Sequence, residues 1–152
     1  MASTNFSEQR LITLHSKLTA WWMVIQNLRV DTPPEDWNVF SSYLNSNCTV
    51  YLNGMNAEPC KGCDSTAQQM KRLLTYWAIK ERRVLSQGLD PGGRVITASL
   101  LNTLLIRDEL LDLPEAEVVE FDDEGRILEY RLYADPQPIM AILRAKADSE
   151  WN

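Results

Sequence analysis

The stretch from Glu115 to Asp135 leaves little freedom in what it can fold into. Two runs rich in β-branched and aromatic residues, Glu-Ala-Glu-Val-Val-Glu-Phe and Arg-Ile-Leu-Glu-Tyr-Arg-Leu-Tyr-Ala-Asp, flank the acidic turn Asp122-Asp123-Glu124-Gly125. A turn whose glycine can take a positive φ, set between two such runs, predicts a β-hairpin. Successive side chains of a strand point to opposite faces, so Leu128, Tyr130, Leu132 and Ala134 share one side of the second strand. Ile127, Glu129, Arg131 and Tyr133 share the other. The first side is apolar apart from one hydroxyl, which suits the wall of a greasy cavity with few polar groups. An ordinary half-buried hairpin alternates in the same way, so the remainder of the chain has to supply the rest of any pocket.

At 152 residues the chain is long enough to bury a proper core, and it reads as one domain over residues 1–152. A net charge of −6 and a pI near 4.8 argue against a nucleic-acid or anionic-membrane partner. No apolar run approaches the roughly 20 residues of a membrane span, and the polar start has no secretory pattern. Three cysteines are an odd count without a secreted framework, which points to a reducing, cytoplasmic setting.

Residues 1–6 read as frayed. From Ser7, a helix-capping residue, Leu11, Leu14, Leu18, Trp22 and Ile25 recur at spacings of three and four, and Trp21 widens that stripe. His15, the single histidine, lies on the same side and reads as a core or rim residue. Thr32-Pro33-Pro34-Glu35 predicts a second, short helix with a capping threonine, carrying Trp37, Phe40, Tyr43 and Leu44 inward. A strand follows over Cys48–Asn53, with Thr49, Tyr51 and Asn53 on one face. Roughly 7 Å then separates Tyr51 from Asn53, close enough to hold one oxygen between them. Asp64 opens a third helix containing Met70, Leu73, Leu74 and Trp77. Strands are expected over 82–89, 94–106 and 116–121, and a last helix over 138–147. The order gives an α+β fold with helices on one face of a bent sheet.

These residues also carry a family likeness over about residues 8–136. A long first helix, a short second one, the strand Thr49-Val50-Tyr51-Leu52-Asn53, a Lys-Gly turn into a third helix, and Phe-Asp-Asp-Glu-Gly-Arg-Ile before Tyr-Arg-Leu-Tyr-Ala-Asp resemble the nuclear-transport-factor-2-like, or SnoaL-like, cone fold. The resemblance implies a strongly curved antiparallel sheet forming a cone, closed by three N-terminal helices, with a C-terminal helix added. It also implies a homodimer. Tyr51-Leu52-Asn53 resembles the Tyr-x-Asn with which limonene epoxide hydrolases hold their nucleophilic water. Those enzymes complete the site with a carboxylate on the final strand, which falls here at Leu132, and with an Arg-x-Asp that falls at Ser99 and Leu101. The water-holding pair is kept while those acid–base residues are absent. Related enzymes open epoxides, or isomerise and cyclise terpenoid and polyketide skeletons.

Taken together, the expected function is that of an isomerase, cyclase or epoxide-opening enzyme acting on an apolar small molecule in an enclosed pocket. The alternative is a non-catalytic binding or dimerisation module of the same fold. Tyr51, Asn53 and Tyr130 are the candidate catalytic hydrogen-bonding groups. Glu120, grouped with Val118 and Ala116, is the candidate carboxyl, because burial would raise its pKa and suit it to general acid catalysis. Glu117 and Glu129 read as decoration of a solvated hairpin face. Trp22, Trp37, Thr97, Ser99, Leu101 and Leu132 are the expected substrate-binding lining. Cys60-Lys61-Gly62-Cys63 has redox spacing but no βαβ surroundings, and soft ligands are too few for zinc. With no glycine-rich phosphate cradle, no nucleophile elbow and one histidine, cofactor-free chemistry is the default.

Overall fold

The computed structural model describes the backbone of residues 2–151 and the side chains of residues 7–145. The first helix, α1 (Ala2–Asn27), starts five residues ahead of the predicted cap at Ser7. Its stripe is as predicted: Leu14, Leu18, Trp21, Trp22 and Ile25 are all buried. In α2 (Pro34–Ser42) the residue before the first turn is Pro33, with no side-chain cap. Thr32 is engaged elsewhere, its hydroxyl accepting the backbone N–H of Arg29 at 2.8 Å. Proline at the first helical position is tolerated because that N–H has no intrahelical partner in any case.

Six strands follow: β1 (Leu44–Tyr51), β2 (Cys60–Lys61), β3 (Ala78–Leu89), β4 (Val95–Ile106), β5 (Glu109–Phe121) and β6 (Ile127–Ala134). Helix α3 (Gly62–Leu74) sits between β2 and β3, and α4 (Gln137–Trp151) ends the described chain. The strands form one curved sheet in the order β2-β1-β6-β5-β4-β3. Every neighbouring pair is antiparallel except β1 and β6, so the sheet is mixed where the resemblance implied a wholly antiparallel one. Register shifts in β3, at Ile79–Glu81 and Val84–Ser86, and in the β5–β6 pair at Glu120–Phe121 bend it. A bulge inserts one extra residue and locally sharpens twist, which turns a flat sheet into the wall of a cone.

The hairpin turn is held from both sides. Asp122 Oδ1 accepts the backbone N–H groups of Glu124 and Arg126, each at 2.9 Å, and its Oδ2 accepts the side-chain amide of Asn45 at 2.7 Å. Burial pushes the Asp122 carboxyl upward, but these hydrogen bonds outweigh it and hold its pKa below the usual carboxylate range. Gly125 has φ +78°, a conformation that costs an L-residue about 1–2 kcal/mol.

The core lies between the concave face of the sheet and α1–α3. Trp21 stacks on Phe40 with ring centroids 5.4 Å apart and meets Tyr130 edge-on at 5.6 Å. No described helix is long and apolar enough to cross a membrane.

Candidate active site

Strand periodicity decides which side chains reach the concave face. On β4 the buried set is Ile96, Ala98, Leu100, Asn102, Leu104 and Ile106. Thr97 and Ser99 are exposed on the opposite side, and Leu101 shares that side; none of the three lines the cavity. The expected lining had picked the less apolar of the two alternating sets. The same holds on β5. Its inward set is Leu113, Glu115, Glu117, Val119 and Phe121, whereas Glu120 lies with Val118 on the outer face. There Glu120 borders a depression of only about 40 Å³ with Val95, Glu129 and Arg131.

Between the sheet, α3 and α4 lies a cavity of about 510 Å³, within the range that encloses a drug-sized ligand. Its wall is apolar: Met70 and Leu73 from α3, Leu104 and Leu113 from the sheet, Ile139 and Leu143 from α4. Of the residues expected to contact substrate, Trp22 and Leu132 border it. Trp37 does not; it is buried against Phe40, with Lys71 over its ring. Asn53 reaches the cavity from the exposed turn after β1, beside Arg72, Tyr76 and Asp135. Tyr51 does not line it. Cys48 and Val50 are buried on the second half of β1, so Tyr51 falls on the other side of that strand. The turn that begins at Leu52 breaks the alternation that would have put Tyr51 and Asn53 on one face.

Two polar side chains meet at the cavity wall deep in the sheet. Asn102 on β4, 3% exposed, donates from Nδ2 to Glu115 Oε2 on β5 at 2.8 Å. Burial pushes the Glu115 carboxyl up to about 7; the nearby Glu117 charge adds to this, and the Asn102 hydrogen bond and Arg82 charge only partly offset it. A carboxyl that titrates near neutrality can both give and take a proton there.

Behind Trp22 sits a second polar group, sealed from the cavity. Glu117, fully buried, accepts Arg82 Nη2 at 2.5 Å and the Tyr130 hydroxyl at 2.7 Å. Arg82 also lies over the Trp22 ring, 5.3 Å from its centroid. Tyr130 therefore faces inward, as predicted, but it packs against Trp21 and Trp22 and does not line the cavity. Burial, then the Glu117 charge, pushes its phenol well above the usual value, so it stays protonated. His15 is half-buried, its Nε2 3.3 Å from Thr19 Oγ1; burial and the Arg82 charge lower its pKa and keep it neutral.

Four residues of this site, Glu115, Asn102, Glu117 and Arg82, escape a reading of the sequence. The available signal was on β5 itself. Extending that strand back to Leu113 shows both glutamates sharing a face with the large apolar residues Leu113, Val119 and Phe121, while the other face carries Asp112, Pro114, Ala116, Val118 and Glu120.

No protein-family model and no curated protein matches the sequence. Solved structures do. An LEH-like epoxide hydrolase from M. tuberculosis is 21% identical, with a TM-score of 0.63 over 83% of this chain and 85% of that one. The epoxide hydrolase/cyclase-like enzyme SalBIII of pyran ring formation in polyether salinomycin is 11% identical, with a TM-score of 0.64 over 81% of this chain and 91% of that one. A steroid delta-isomerase from Pseudomonas aeruginosa is 15% identical, with a TM-score of 0.58 over 91% and 93% of the two chains. At these identities the likeness is one of fold.

Proposed function

We propose that this chain, which has the nuclear-transport-factor-2-like (SnoaL-like) cone fold, is a cofactor-free enzyme that isomerises, cyclises or opens the epoxide of an apolar small molecule, with Glu115 carrying the proton. The observation that carries this reading is a carboxyl set deep in the wall of an apolar cavity, poised near pH 7 and oriented by Asn102. Desolvation supplies the high pKa and the amide fixes the direction in which the acid points. The cavity's shape does the rest, since orienting a reactive intermediate and excluding water decide which product forms. Asn53 at the rim is placed to contact the outer end of a substrate.

Turnover of a panel of mono- and bicyclic terpene epoxides and unsaturated ketones, followed by gas chromatography, tests this. Glu115→Gln removes the transferable proton at constant shape and is expected to lower kcat by about 10²–10⁴-fold. Activity on any panel member that survives this change would remove Glu115 from the mechanism. One observation favours a second reading, a binding protein without turnover: Leu132 stands where the resemblance calls for a water-activating carboxylate, and it lines the cavity. Binding of the same compounds without conversion by the unaltered protein would decide for it.

A further inference from the structure

The charges around the deep end of the cavity do not balance. Glu115 and Glu117, two residues apart on β5, bring two carboxyl groups to the concave face. From β3, Arg82 is the cation that faces them, and it is committed to Glu117 at 2.5 Å. From β4 comes neutral Asn102, from β6 the protonated Tyr130, and from α1 the neutral His15. The charged residues contributed to the cavity by α3 and by the segment after β6, Arg72 and Asp135, stand exposed at its rim. Among the described residues, with Glu115 ionised, this interior is one positive charge short.

The hydrogen-bond donors are spent in the same direction. The Asn102 amide donates to Glu115, while both Arg82 Nη atoms and the Tyr130 hydroxyl donate to Glu117. The donors left over, Arg82 Nε and the Trp22 indole N–H, are fully buried. With Glu115 ionised, an enolate or other developing oxyanion would meet negative charge there, which is the reverse of an oxyanion hole. The cavity wall instead offers the rings of Trp22, Tyr76 and Trp77 and the Met70 thioether. Aromatic faces attract a cation through their quadrupole.

We infer that the pocket is matched to positive charge on an apolar skeleton, either an ammonium group or the cationic centre that forms when an epoxide opens or a polyene cyclises. This deepens the proposed function and rests on it for the reaction step. In that step the protonated Glu115 carboxyl gives its proton to the epoxide oxygen. The C–O bond breaks with its electron pair going to oxygen, and a hydroxyl results. The electron-deficient carbon, now beside the Glu115 carboxylate, is captured by a water or by a hydroxyl of the same molecule. The proton shed by that nucleophile returns to the carboxylate, so the residue ends as it began.

Three probes of one skeleton test the charge preference: N-methyldecahydroisoquinoline, protonated at neutral pH, decahydro-2-naphthol, and decahydronaphthalene-2-carboxylate. Isothermal titration at pH 8 is expected to give at least about tenfold tighter binding of the amine than of the alcohol, and none of the carboxylate. In the unaltered protein the amine's advantage is expected to disappear below about pH 6, where Glu115 is protonated, and amine binding at pH 7 is expected to release protons. Glu115→Gln is expected to remove the advantage at every pH. An alcohol or carboxylate that binds as tightly as the amine at pH 8, or an advantage that persists in Glu115→Gln, overturns the inference. Amine preference without turnover of any panel member supports this charge match while sinking the enzyme reading; Glu115-dependent turnover without amine preference does the opposite.

Discussion

Glu115 sets the pH behaviour of the protein as well as that of the site. Its pKa is raised in the folded state to about 7 from an ordinary value of 4.5, so the folded protein binds more protons than the unfolded chain between those limits. Stability from this group is therefore full below about pH 4.5 and is lost as pH rises through 7, a change on the order of 3 kcal/mol. Urea denaturation from pH 5 to 8 is expected to show that decline, and Glu115→Gln is expected to flatten it. Asn102→Ala deletes the hydrogen bond that favours the carboxylate, so the Glu115 pKa is expected to climb further, as read by ¹³C NMR of the carboxyl carbon. A pKa that stayed put or fell would show the amide has no hold on it. At this scale the sequence was least legible. Glu115, Glu117 and Glu120 look alike in a row of letters, and only the phase of the pleat separates two inward carboxyls from an outward one.

The elements themselves were easier to read. The hairpin and the α1 stripe follow from local patterning and stand where the sequence predicts them, while on β4 and β5 the alternation holds with the opposite face inward. The exceptions are fixed by partners distant in the chain. The strand expected from Cys48 begins at Leu44, so Asn45, Ser46 and Asn47 belong to β1. The Asn45 amide reaches Asp122, and Ile127 N–H donates to the Tyr43 carbonyl at 2.8 Å, so β6 draws the strand start back to Leu44. The two-residue β2 likewise exists through its pairing with Thr49 and Val50. This makes Asp122 the tie between the hairpin turn and the first strand. Asp122→Ala breaks three hydrogen bonds and is expected to destabilise the protein by about 2–3 kcal/mol in chemical denaturation. A loss under about 0.5 kcal/mol would mean that the turn holds its shape without it.

For the whole molecule, the cavity is a cost carried within an otherwise closed core. Fold and cavity were foreseeable from the cone likeness; which residues point into the space was less so, because Tyr51 and Asn53 lie on either side of a strand end marked only by the Asn53-Gly54 turn signature. Filling the space separates stability from activity. Ala134 lines the cavity near the end of β6, and Ala134→Leu is expected to add about 0.5–2 kcal/mol of stability while weakening ligand binding. Thermal melting and titration of the same ligands measure both, and a variant that lost stability would show that the space closes up in solution.

Trp22 has its ring between two unlike interiors. On one side lies the oily chamber, on the other the ionic trio of Arg82, Glu117 and Tyr130. Such a partition lets substrate range drift, or be redesigned, by exchanging Leu104, Leu113 or Leu132 for side chains of other sizes. The salt link that locks three strands together is left undisturbed by such exchanges. The scaffold thus keeps the lining that meets a ligand apart from the ionic contacts that hold its strands.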